Sequence, residues 1–102
     1  ITGGGLSNLL RLSERLGWHI SGPRPPQPEF QWISEVGSVS PREMHRTFNM
    51  GMGMVVAVSP DSADAVSLWL NDRLPGSRIV GQVVSQGRLV THSDPGVRFS
   101  EY

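Results

Sequence analysis

Cysteine is absent from the sequence, which excludes disulfides, thiolate zinc sites and a cysteine nucleophile. Lysine is absent too: all nine cations are Arg, so neither Schiff-base chemistry nor a Walker-type lysine can operate within this chain. No charge of either sign is in surplus, because the nine Arg balance nine Asp plus Glu. Nucleic acid and anionic membrane surfaces need an excess of cations, so neither is expected as a partner. Long apolar runs are also missing. The longest, Met54 to Val58, covers five residues, against the roughly 20 needed to cross a bilayer. The N-terminus lacks the charged start and apolar stretch of a signal peptide, and a cytoplasmic location is the expectation.

With 102 residues, the chain has room for one domain and for a modest core. From Leu6 the apolar residues Leu6, Leu9, Leu10 and Leu16 follow one helix face, with Thr2 or a glycine as the cap and Gly17 as the stop. Trp18-His19-Ile20 reads as a strand. The four prolines between Ser21 and Pro28 then enforce a loop. Pro28 suits the first turn of a helix carrying Phe30, Ile33 and Val36, with Gly37 ending it. Ser40-Pro41-Arg42-Glu43 is a capping box and predicts a short helix to about Thr47.

Between Asn49 and Val58 bulky and small residues alternate: Met50, Met52, Met54, Val56 and Val58 against Gly51, Gly53, Val55 and Ala57. The pattern predicts a strand with one contact-seeking face. Ser59-Pro60-Asp61 opens a further helix with Ala63, Val66, Leu70 and Leu74 on one side. Strands are predicted over 78–84 and 88–91, and the segment 93–102 is assigned no regular structure. The expected fold class is α+β, a mixed and mostly antiparallel sheet covered by helices.

Two stretches could receive a ligand. Successive glycines in Thr2-Gly3-Gly4-Gly5 free the backbone to aim several N–H groups at one point, which suits a phosphate; the plainer alternative is a flexible turn. Asn49, at the mouth of the segment containing Gly51, can donate and accept together, and Arg46 can clamp a phosphate with its fork of donors. Either could equally be a turn residue or a solvated helix end. His19, His45 and His92 show no metal-ligand spacing, so no metal site is expected within the chain. No acid, base or nucleophile can be assigned. Trp18, Trp32 and Trp69 lie on or near apolar patterns and read as core.

Ile1-Thr2-Gly3-Gly4-Gly5-Leu6, Phe30-Gln31-Trp32-Ile33, the stretch Glu43 to Val55, Ala63-Asp64-Ala65-Val66 and Ile79 to Val84 together resemble the C-terminal part of phosphoribosylformylglycinamidine cyclo-ligase, or aminoimidazole ribonucleotide synthetase. The resemblance implies ATP-dependent ring closure of formylglycinamidine ribonucleotide in purine biosynthesis, with ADP and phosphate released. It also implies a separate N-terminal domain that forms a homodimer and binds most of the ATP and Mg²⁺. Thr2, Gly3, Gly4, Gly5, Arg46, Asn49 and Gly51 would then face a phosphorylated small-molecule substrate.

Family members carry a His directly before the Ile-Thr-Gly-Gly-Gly stretch, so residues 1–92 are expected to be a partial domain, followed by a 93–102 tail. Related ATP-binding enzymes of the same architecture are the nearest alternatives: formylglycinamidine ribonucleotide synthetase, selenophosphate synthetase, thiamine-monophosphate kinase and a hydrogenase-maturation protein. A non-catalytic interaction module of the same fold is another.

Overall fold

In the computed structural model, which describes residues 1–102, two short strands distant in sequence run side by side at the centre of the sheet. These are β1 (Gly17–Ile20) and β3 (Val90–His92), paired in parallel with Trp18 opposite Val90 and Ile20 opposite His92. Antiparallel strands flank them: β2 (Gln82–Val84) on β1 and β4 (Arg98–Phe99) on β3, giving the order β2-β1-β3-β4. The sheet is therefore mixed, and with its helices the fold is α+β as expected.

Alternation explains β1, since Trp18 and Ile20 are buried while His19 between them is only half-buried. One core joins Leu6, Leu9 and Leu10 to Trp18, Ile20, Met52, Val90, Val97 and Phe99. Two helical elements pack near it: a 3₁₀ helix over Gly5–Arg11 and α2 (Pro41–Thr47), whose Met44 is buried. Helices α1 (Pro28–Gly37) and α3 (Ala63–Arg73) bury no residue completely. No helix is long and apolar enough to cross a membrane.

Several expectations need correction, among them the reading of Trp32 and Trp69 as core, since both are exposed. The first helix stops at Arg11 rather than running to Leu16 and is 3₁₀ throughout. Ser13 Oγ accepts the amides of Arg15 and Leu16 at 3.1 and 3.2 Å, a local turn that competes with helix and leaves Leu12 and Leu16 exposed. The Asn49–Val58 segment forms no ladder. Its first residues fold into a turn, with the Met52 amide donating to the Asn49 carbonyl at 3.0 Å and positive φ at Met50 (51°) and Gly51 (89°). The methionines are thereby separated, Met52 being buried and Met54 84% exposed.

The predicted 78–84 strand is paired only over Gln82–Val84. Segment 93–102, finally, is not patternless: it supplies β4, and Val97 and Phe99 are among the most deeply buried side chains. The capping box forms by half. Glu43 N–H donates to Ser40 Oγ at 3.3 Å, but the Glu43 carboxylate accepts from Thr47 Oγ1 at 3.4 Å instead of returning to residue 40.

Candidate ligand site at the glycine turn

The glycine turn precedes a helix whose backbone it cannot leave, because its carbonyls are taken one by one. Asn8 Nδ2 donates to the carbonyls of Gly3 and Gly5 at 2.9 and 3.0 Å, and Ser7 Oγ donates to that of Gly4 at 2.6 Å. The Gly5 amide donates to the Thr2 carbonyl at 3.1 Å. The amides of Gly3 and Gly4 have no acceptor within the chain. Locked carbonyls and free N–H groups give the turn a net excess of donors, which is the polarity an anion requires.

Gly5 is the hinge between this turn and the second stretch. Its φ is 51°, and a Cβ there would overlap the carbonyl oxygen of His45 and crowd that of Phe48, so only glycine lets the turn rest on the end of α2. Two residues further on, Asn49 Oδ1 accepts the Gly51 amide at 2.9 Å. The structure thus sets the Thr2–Gly5 turn against the helix end from which the Asn49 turn departs. The backbone nitrogen of Ile1 reinforces the approach by donating to the Gly53 carbonyl.

The seven sequence-predicted positions fare differently. Thr2 and Gly3 are exposed, Gly4 is half-exposed and Gly5 is buried. Gly51 is buried as well, with its amide held by Asn49 and its carbonyl within 3.5 Å of Arg24 Nη1, so its polar groups are both engaged. Asn49 keeps its side-chain nitrogen without a partner. Arg46 is exposed and makes no hydrogen bond or ion pair; nothing ties it to either turn.

Beside the turn lies a hollow of about 500 Å³ lined by Ile1, Thr2, Asn8, Leu9, Arg11 and residues 53–55, among others. Arg11 and Asn8 were not among the sequence candidates. Their spacing of three places both on one side of the short helix, as it would in an α-helix too, so the signal was present in the sequence. Arg11 also sits 5.0 Å over the Tyr102 ring, and that ring reaches Gly4. No three His, Asp or Glu side chains converge in a way that could hold a metal ion.

A family model described as "AIR synthase related protein, C-terminal domain" matches residues 1–94. The chain belongs to the AIR synthase related family. Among curated AIR-synthase relatives, it is 40% identical over 94 residues to a phosphoribosylformylglycinamidine cyclo-ligase of Methanopyrus kandleri, covering 92% of this chain and 27% of that protein. It is 41% identical over 87 residues to the enzyme of the same name from Methanothermobacter thermautotrophicus, covering 85% of this chain and 25% of that one. A putative cyclo-ligase of Streptomyces fradiae is 35% identical over 105 residues, covering all of this chain and 58% of its own length. The chain thus spans between about a quarter and three fifths of these AIR-synthase relatives.

Proposed function

We propose that this chain acts as the C-terminal part of an ATP-dependent cyclo-ligase that converts formylglycinamidine ribonucleotide to aminoimidazole ribonucleotide, ADP and phosphate in purine biosynthesis. The observation that carries the reading is the meeting of the donor-rich glycine turn and the Asn49 turn across the end of α2, next to an open hollow. An amide oxygen leaves poorly; once phosphorylated it leaves as phosphate, and an internal nitrogen can attack the activated carbon and close the ring. The protein's task in such a step is to position phosphates and stabilise developing charge rather than to supply a nucleophile.

In this reading the Gly3 and Gly4 amides hold a phosphate of the substrate, Asn49 orients a neighbouring polar group, and Arg11 adds positive charge at the rim. The Mg²⁺, most of the ATP contacts and the homodimer contact are assigned, as the family resemblance implies, to an N-terminal domain of the same enzyme.

The test is a pair of measurements. The full-length parent is expected to turn over formylglycinamidine ribonucleotide with ATP, while the 102-residue chain alone is expected not to. In an NMR titration of the chain with the ribonucleotide, the amides of Gly3 and Gly4 should shift. A parent inactive on this substrate, or glycine amides that stay still at saturation, would overturn the reading.

A further inference from the structure

We infer that His45 and His92 form a proton-sensitive clasp between α2 and the sheet, through which acidification loosens both ligand-facing turns. The inference does not depend on which substrate the site takes. Its basis is the way two imidazoles from distant elements meet edge to face, with ring centroids 4.7 Å apart and planes at 61°. His45 stands in α2 and His92 ends β3, so this contact couples the helix to the central strands.

The hydrogen-bond partners fix where each neutral ring carries its proton. His45 Nδ1 lies 2.7 Å from the Pro41 carbonyl oxygen, which can only accept, so Nδ1 bears the hydrogen. His92 Nδ1 lies 3.0 Å from the Asp94 amide, which can only donate, so this nitrogen must be bare and the hydrogen sits on Nε2. That Nε2 is enclosed and has no partner. A proton added to His92 can therefore enter only at Nδ1. There it would replace an acceptor by a donor facing the Asp94 N–H and put a cation against His45.

The groups around His92 are few and can be named by element. His45 faces it from α2, His19 from β1, and Asp94 from the turn after β3. Burial, then His45, hold the His92 ring below its ordinary value of 6.5, with His19 adding slightly in the same direction and Asp94 opposing. Of the other two, His19 is tied through Nδ1 to Thr91 Oγ1 at 2.8 Å. The Asp94 carboxylate is partly engaged by the Gly96 amide at 2.9 Å.

What makes the clasp more than a packing detail is the far end of His45. Its carbonyl oxygen is the surface on which Gly5 rests, and four residues later the chain turns at Asn49. Moving α2 away from β3 thus disturbs the glycine turn and the Asn49 turn together. A folded-state value below the unfolded one means that the stabilisation is complete above pH 6.5 and is lost as pH falls toward and through the folded value.

The experiment follows the three histidine ring signals and the backbone amides of the purified chain by NMR between about pH 8 and pH 4.5, in wild type and in His45→Gln. The expected result is that His92 titrates below 6.5, that the Gly5 and Asn49 amides move with the same midpoint, and that His45→Gln shifts the His92 midpoint upward. Amides of Gly5 and Asn49 that do not follow His92 in the wild type overturn the inference, whether or not the variant folds. So does a His92 midpoint unchanged by His45→Gln. As a second check, His92→Gln should flatten the dependence of the urea midpoint on pH between about 5 and 7, and an unchanged slope counts against the clasp.

Discussion

Gly5 rests on the carbonyl oxygen of His45, forty residues away in sequence, with no room between them for a single methyl group. Its positive φ adds a second constraint at the same position. Gly5→Ala should therefore cost the left-handed strain of about 1–2 kcal/mol plus the displacement of α2, for a total of roughly 3 kcal/mol or more. Gly3→Ala, in open space, should cost little. Urea denaturation of the two variants side by side checks this, and equal midpoints would refute it.

Phe99 is the largest side chain that is completely enclosed, although it lies past residue 94, where the family match ends. Phe99→Ala is expected to destabilise by about 3–5 kcal/mol, as for other buried aromatics. For a chain of this size that is a large share of the whole. Thermal unfolding followed by circular dichroism would show the loss as a lower Tm, whereas an unaltered Tm would mean that 95–102 is dispensable.

Met52 and Met54, two residues apart, are expected to respond in opposite ways to truncation. Met52→Ala opens a cavity in the core and should cost about 2–5 kcal/mol. Met54→Ala removes a side chain already in water and should stay within about 0.5 kcal/mol. Similar losses from both would restore the single-faced strand that the alternation predicts.

Ser40 carries the one formed half of the capping box. Ser40→Ala should cost about 1 kcal/mol, because the Glu43 amide loses its acceptor. Glu43→Gln should cost much less, since its carboxylate does not reach back to the cap. Were Glu43→Gln the more damaging of the two in urea unfolding, the reciprocal bond would have to exist in solution.

How far the fold was legible varied with the range of the forces involved. Most local signals held: Pro28 and Pro41 at helix starts, the Ser40 cap, and the Trp18/Ile20 alternation produced the elements they predict, whereas the Leu6–Leu16 periodicity yielded to the Ser13 turn. Longer-range outcomes were not readable. Alternation from Met50 to Val58 marks a chain able to be a strand, but a ladder also needs a neighbour, and here the turn at Met50 and Gly51 takes the backbone away from one. Val97 and Phe99 are buried on either side of exposed Arg98, but β4 has only two residues, too short for any period to stand out.

The site shows the same division. Glycines and Asn49 were recognisable as residue types suited to polar ligands, and the two stretches do approach one another. That Gly51 would be enclosed, Arg46 left alone and Arg11 brought to the rim depended on contacts between segments far apart in the chain. Exposure of a backbone amide is decided by what packs on it, which a single sequence does not record.

The parallel pairing of β1 with β3 joins residues 17–20 to residues 90–92. During synthesis on the ribosome, the first of these must wait, without their neighbour, until nearly the whole segment has emerged. Such remote pairing slows folding and keeps Trp18 and Ile20 uncovered in the interval. Until that late mate arrives, the apolar face of β1 is a surface on which unfinished chains can aggregate.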